Sequence, residues 1–468
     1  MRDLFLTLFI FGMLPGAFFR PHIGVYLWAW VAYMNPHRLT WSYAYNFRFN
    51  YFIAIATILG IIVFWNKTVK IPRNYTVYFL YGFLVWTAIS SLNAINYPWH
   101  EWQQLVKIYM MITATFLLID SKKAILTLVT IITLSIGYFG IKGGVFTITT
   151  GGQFQVLGPA RSFFSDNNMF ALAELMVVPM FLFLRTQLKN FWLRWLFVIL
   201  ALLAALSVIG SYSRGGLVGL IVITLYFWLR TPGKIRIALL LAMVMPLAYN
   251  LMSERWQYRM ISMVEKVEIP KVVTEYFSEP ALFDPENDPF PEDEESDELI
   301  VDDSSVAGRI QAWTLAYRVA IDRPFVGGGF RTFHLNVFRK YLPGAQRRAA
   351  HSIYFQVLGE HGFVGFAVWT FMHLTGFLTR NRIMKKTKNI PELLWAHELA
   401  RFIGISMIGY YASGAFLGLA YFDLPLHYIS ILVIIQTIVL RELSKIETPP
   451  PKKEGRFPFR SIEELSKN

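Results

Sequence analysis

The chain has 468 residues, 55% hydrophobic, 16% aromatic and 16% charged, with a net charge of +13. A soluble protein needs about a quarter of its residues charged to cover its surface, so this deficit excludes a water-soluble globule and makes lipid the main solvent. The absence of cysteine excludes disulfides, thiolate metal sites and a cysteine nucleophile.

Apolar segments able to cross a bilayer are expected near 4–19, 22–34, 51–65, 75–92, 103–119, 123–140, 168–184, 192–209, 214–230, 235–252, 353–379, 398–419 and 423–440. The opening Met1-Arg2-Asp3 and its apolar run lack an A-x-A-like cleavage site, so they are read as a retained span. Several segments fall short of the roughly 20 residues that a straight crossing requires, and end aromatics and arginines extend them by snorkelling. The first two are either separate spans or one hairpin broken at Pro15-Gly16 and Pro21. The spacing thus predicts an all-α polytopic membrane protein of 12 to 13 transmembrane helices, with one large, partly helical extracytoplasmic loop.

Lys67, Lys70 and Arg73 lie in one link, Lys122 and Lys123 in the next but one, and Arg185, Lys189 and Arg194 in a third. Arg230, Lys234 and Arg236 follow, then Arg380, Arg382, Lys385, Lys386 and Lys388. These basic links alternate with cation-poor ones, which sets them in the cytoplasm beside anionic membrane lipids and argues against nucleic acid as the partner of the basic charge. Four regions follow: transmembrane helices over 1–252, a large outward loop over 253–352, further transmembrane helices over 353–440, and a cytoplasmic tail over 441–468. Within the loop, 279–304 holds twelve Asp or Glu and no Lys or Arg. It is read as a proline-punctuated mobile insertion whose spacing does not match an EF-hand.

Of the arginines on the side that the positive-inside rule disfavours, three are singled out by their surroundings. Arg161 stands in Leu157-Gly-Pro-Ala-Arg-Ser-Phe-Phe-Ser-Asp-Asn-Asn168, Arg214 in Gly210-Ser-Tyr-Ser-Arg-Gly-Gly216, and Arg309 in Gly308-Arg-Ile-Gln-Ala-Trp313. A guanidinium keeps its charge at a membrane edge and offers a planar fork of donors that fits phosphate oxygens. Singly, each also fits a plain role: loop cation, helix-end anchor, or partner of the acidic run.

Trp313, Leu315, Val319 and Ile321 predict a helix, the Arg323-Pro-Phe-Val-Gly-Gly-Gly-Phe330 stretch a turn, and Phe333, Phe338 and Tyr341 a second helix. The chain then re-enters the membrane at Ala350-His351-Ser352. His351 heads a helix beside arginines, where an imidazole is suited to take a proton near neutral pH, although an interfacial histidine is the plainer reading. His334, His361 and His373 read as packing or interface residues.

In order along the chain stand Arg161 before Asn168-x-x-Ala171, Ser213-Arg214-Gly215 after a span, Gly308-Arg309-x-x-x-Trp313, the Pro-Phe-x-Gly-x-Gly turn, and His351-Ser352 with Glu360-x-Gly362. Over about 155–420 this set resembles the O-antigen ligase and polymerase superfamily, bacterial membrane glycosyltransferases with a GT-C-like fold. The opening, with Arg20-Pro21, Met34-Asn-Pro-His-Arg-Leu-Thr-Trp41 and Ala54-Ile-Ala-Thr57, looks like a subgroup of O-glycosylation ligases that accompany exosortase systems. The acidic insertion is not part of the pattern.

The resemblance implies transfer of a glycan from an undecaprenyl-diphosphate carrier to a hydroxyl on a protein, lipid or glycan acceptor, at the periplasmic side of the bacterial inner membrane. Arg161 and Arg214 would hold the diphosphate with Arg309 as a weaker third, and His351 would deprotonate the acceptor, giving inversion. Asn168, Ser213, Ser352 and Glu360 would support them, Glu360 either orienting a partner or serving the helix. No metal or other cofactor is expected, since residues 35–50 contain no Asp or Glu. The same motifs fit a polysaccharide polymerase. A lipid-linked glycan transporter or flippase is the other alternative, less favoured because charged residues within the spans are few, Glu174 and Lys107 foremost.

Overall fold

The computed structural model describes residues 1–64, 71–230, 306–345 and 347–447, with 234–235, 250, 253–254 and 257–258. Among the described residues the α-helices are α1 (Arg2–Phe19), α2 (Pro21–Met34), α3 (Phe49–Val63), α4 (Tyr75–Leu92), α5 (Trp99–Leu118), α6 (Lys122–Thr149) and α7 (Asn167–Gln187). They continue with α8 (Phe191–Gly210), α9 (Arg214–Arg230), α10 (Val306–Asp322), α11 (Leu335–Tyr341), α12 (Ile353–Thr387), α13 (Leu394–Gly414) and α14 (Asp423–Glu447). Twelve of the thirteen expected apolar segments are helices; the segment 235–252 lies almost wholly outside the described residues, as do the acidic insertion and the tail beyond Glu447. The chain is thus an all-helical, multi-pass membrane protein, and α1, α4, α6, α7, α8, α12 and α14 are each long and apolar enough to cross a bilayer. The first two segments are separate helices that fold back on each other at Arg20, and Gly60 of α3 lies against the Phe18 carbonyl and Pro21.

Polar caps fix where the spans begin. Asn74, Ser121, Asp166 and Asn190 each accept hydrogen bonds from first-turn amides of the helix that follows. A helix start leaves four amides unpaired, and hydrocarbon offers them no water, so each cap relieves a large cost. Small residues set the packing distances. A Cβ at Gly137 would lie 2.2 Å from the Phe181 ring, and one at Gly144 2.2 Å from the Leu203 carbonyl oxygen, so α6 meets α7 and α8 at close range. Fourteen of the 21 residues of α7 are buried, which places it at the centre of the bundle.

The helix ends divide between two faces. On the basic face, Arg441 donates to the Asp120 carbonyl at 2.9 Å and Asn74 to Gln436 at 2.6 Å. On the opposite face, here the site face, lie the chain's start, 35–48, 93–98, 150–166, 211–213, 306–345, 347–352 and 415–422. Asp3 accepts the amides of Ser42 and Ala44 at 3.0 and 3.2 Å, tying the start of α1 to that face.

A small lobe of α10 and α11 sits there around Ala312, Leu315, Val319, Val337, Phe338 and Leu342, with Ile95 from the α4–α5 turn packed against it. Beneath the lobe α12 breaks at Gly362 (φ 66°, ψ −172°). The glycine turn read from the sequence fills the break: the Gly328 and Gly329 amides donate to the Gly359 and Glu360 carbonyls at 2.9 and 2.8 Å, and the Phe363 amide to the Pro324 carbonyl at 2.8 Å. Gly327, at φ 61°, approaches so closely that a Cβ would stand 2.6 Å from the Gly359 oxygen. The two glycine motifs are therefore halves of one main-chain junction.

Candidate active site on the site face

Two of the motifs are bonded to each other. Asp166 caps α7 by accepting the amides of Asn168 and Met169 at 2.8 and 3.0 Å. Asn168 Oδ1 then accepts the Ser213 hydroxyl at 2.8 Å, and Ser213 Oγ accepts the Gly216 amide at 3.1 Å, capping α9. Asn167 and Gln155 both donate to the Ser211 carbonyl at 3.1 Å. The α6–α7 connection and the α8–α9 turn thus hold one geometry. Arg214 is the first residue of α9 and half-buried. Its glycine neighbours permit close packing, since a Cβ at Gly215 would lie 2.7 Å from Leu417 and one at Gly216 2.6 Å from Ala171.

Arg161 is exposed, in a left-handed conformation at φ 58°. Its guanidinium carbon lies 5.9 Å from the centre of the Tyr45 ring, and that of Arg38 lies 4.9 Å from the same ring. Neither Arg38, part of the Met34–Trp41 stretch, nor Tyr45 is among the site residues expected from the sequence. The filter for wrong-side cations picks out Arg38 as well, in a stretch that was read for its lack of carboxylates. Beside it His37 is held neutral, as burial and then the adjacent Arg38 cation lower its pKa to about 4.

Arg309 lies one helical turn before Trp313 on α10, so the two share a face. The Trp313 indole donates to the Ala350 carbonyl at 2.9 Å and stacks on Phe355, with ring centres 5.0 Å apart. The α10 helix is thereby pressed on the re-entry segment. His351 is half-buried there with φ 42°. Ser352 precedes α12 without capping it, its buried hydroxyl having no hydrogen-bond partner.

Glu360 accepts the Tyr421 hydroxyl at 2.5 Å. The same phenol lies 2.9 Å from His361 Nε2, and His361 Nδ1 lies 2.5 Å from Ser90 Oγ. With Tyr421 donating to Glu360, His361 Nε2 donates to the phenol and Nδ1 accepts from Ser90. Glu360 is thus bonded to Tyr421, which lies outside the motif set, and the buried His361 links that phenol to Ser90.

Residues 415–422, the turn between α13 and α14, gather these pieces. Phe416 lies 6.4 Å from the Trp313 ring, and Leu417 packs on Gly215. A Cβ at Gly418 would lie 3.6 Å from the His351 main-chain nitrogen. The Ala420 amide donates to Gln356 at 3.4 Å, Tyr421 bonds to Glu360, and the Phe422 ring lies 5.0 Å from that of Phe163. The neighbourhoods of Arg161, Arg214, Arg309 and His351 thus converge on one turn. All five non-glycine positive-φ residues among those described, Asn35, Arg161, Tyr212, Arg331 and His351, belong to this face. Such strain costs about 1–3 kcal/mol per residue and persists where the surroundings over-determine it. Among the described residues no three His, Asp or Glu side chains form a group that could hold a metal.

Residues 199–370 match the family described as O-antigen ligase. Residues 1–189 match a family of unknown function (DUF5935). No curated protein matches the chain. Arg214, Arg309, His351, Ser352 and Glu360 fall within the first match, and Arg38, Tyr45, Arg161 and Asn168 within the second. The α13–α14 turn lies in neither.

Proposed function

Since the chain belongs to the O-antigen ligase and polymerase superfamily, we propose that it transfers a glycan from a polyprenyl-diphosphate carrier to an acceptor hydroxyl. The observation that carries this reading is the convergence of the Arg161, Arg214, Arg309 and His351 segments on the α13–α14 turn. The site face is the periplasmic side of the bacterial cytoplasmic membrane, a reading supported by the basic links on the opposite face.

As the glycosidic bond breaks, the diphosphate gathers negative charge, and fixed cations stabilise it. Arg161 and Arg214 take its oxygens, with Arg309 contributing more weakly. Charge-assisted hydrogen bonds are worth about 1.5–3 kcal/mol each, so two or three correspond to several orders of magnitude in rate. His351 accepts the proton of the acceptor hydroxyl while that oxygen bonds to the anomeric carbon. The diphosphate leaves from the opposite side, so configuration inverts. The left-handed backbone of His351, packed against Gly418, supports a fixed position for its ring.

The test is reaction of purified protein with an undecaprenyl-diphosphate-linked glycan and a hydroxyl acceptor, with EDTA present. The expected result is free undecaprenyl diphosphate and a product of inverted anomeric configuration. Retained configuration, or a donor that crosses the bilayer unaltered, rejects the reading. A glycosylated protein or lipid identifies a ligase; a lengthened carrier-linked glycan identifies a polymerase.

A further inference from the structure

Arg38 and Arg161 come from connections more than a hundred positions apart, yet both guanidinium groups lie over the Tyr45 ring. Two like charges sharing one phenol repel, and no carboxylate pairs with either: residues 35–50 contain no Asp or Glu, and neither arginine forms an ion pair. One Nη of Arg38 donates to the Tyr45 carbonyl at 3.1 Å and to Asn46 Oδ1 at 3.3 Å, which fixes the side chain. Its Nε is buried with no hydrogen-bond partner, and Arg161 spends its side chain on the ring contact alone. His37, neutral, adds no further positive charge. Two oriented forks with unspent donors, beside an aromatic face and on the site face, fit an anion with several oxygens.

We propose that Arg38, Tyr45 and Arg161 form a two-arginine clamp for a diphosphate, in which the α2–α3 connection supplies a cation to the site. Tyr45 spaces the two guanidinium groups so that each takes a different part of the anion. The clamp rests on the transferase reading and assigns a task to the segment matched by the family of unknown function: it completes donor binding for the O-antigen ligase segment. The same chemistry would also hold the phosphate of an anionic lipid, so the two sources need separating.

The experiment is binding of undecaprenyl diphosphate to the full chain in nanodiscs of zwitterionic lipid, repeated with phosphatidylglycerol added. Wild type is compared with Arg38→Ala, Arg38→Lys, Tyr45→Leu and Arg214→Ala, each checked for an unchanged melting profile. Loss of one charge-assisted contact corresponds to weakening by about ten- to a hundredfold. That loss is expected for Arg38→Ala, with smaller ones for Arg38→Lys, which keeps the charge but not the fork, and for Tyr45→Leu, which removes the spacer but no contact to the anion. If the Arg38 and Tyr45 variants bind like wild type while Arg214→Ala is weakened, the clamp is wrong and the transferase reading survives. If wild type does not bind the diphosphate lipid, both fail. If phosphatidylglycerol displaces the probe from wild type at equal concentration, the clamp holds lipid headgroups and the donor assignment is overturned.

Discussion

Ser213 does two jobs with one oxygen: it donates to Asn168 and accepts the Gly216 amide that begins α9. Replacing it with alanine removes the cap of α9 and leaves Asn168 without that partner, at a cost of about 1–2 kcal/mol. The expected outcome of Ser213→Ala is a lower melting temperature in nanodiscs, together with a raised KM for donor because Arg214 loses its fixed origin. An unchanged melting temperature and KM would show that the α8–α9 turn is held by its other bonds. The two partners stand 45 positions apart, and no local pattern in the sequence links them. Arg161, Arg214 and Arg309 were legible because cations on the disfavoured side of a membrane protein stand out. Arg38 obeys the same rule. It is no site candidate on that rule alone, because the part proposed for it depends on Tyr45 and Arg161 meeting it in space.

At the scale of elements, the Pro324–Gly329 turn and the Glu360-x-Gly362 motif were each visible as glycine signals, though no break was expected within the segment 353–379. Their union was not, because main-chain pairing between them leaves no side-chain signature. Gly362 sits at φ 66°, and a Cβ there would come within 2.6 Å of the Pro324 carbonyl oxygen. Gly362→Ala thus meets both left-handed strain, about 1–2 kcal/mol, and a backbone clash. It is expected to lower the melting temperature and the yield of folded protein, whereas Gly12→Ala, in a helix where a Cβ meets nothing within 4 Å, leaves both near wild type. Equal stability of the two variants would contradict the junction. The α13–α14 turn was the largest element missed. Its Phe416, Leu417 and Phe422 look like ordinary interfacial apolar residues, and their importance lies in what they touch.

Across the whole molecule, the alternation of basic and cation-poor links foretold which helix ends share a face, and the bundle sorts them accordingly. Span positions were legible because hydrocarbon demands long apolar runs, and twelve of the thirteen are helices in the described residues. The assembly of the site was less legible, since four motifs separated by up to 190 positions, from Arg161 to His351, converge only through the last turn of the bundle. The roles proposed for these residues are separable, the arginines for the donor and the histidine for the acceptor. The most direct measurement is glycan transfer and donor binding side by side for wild type, His351→Ala and Arg214→Ala, with melting profiles as the folding control. Both variants are expected to lose transfer by at least about a hundredfold, with donor binding kept in His351→Ala and weakened in Arg214→Ala. Full transfer by either folded variant would contradict the assignment of the site.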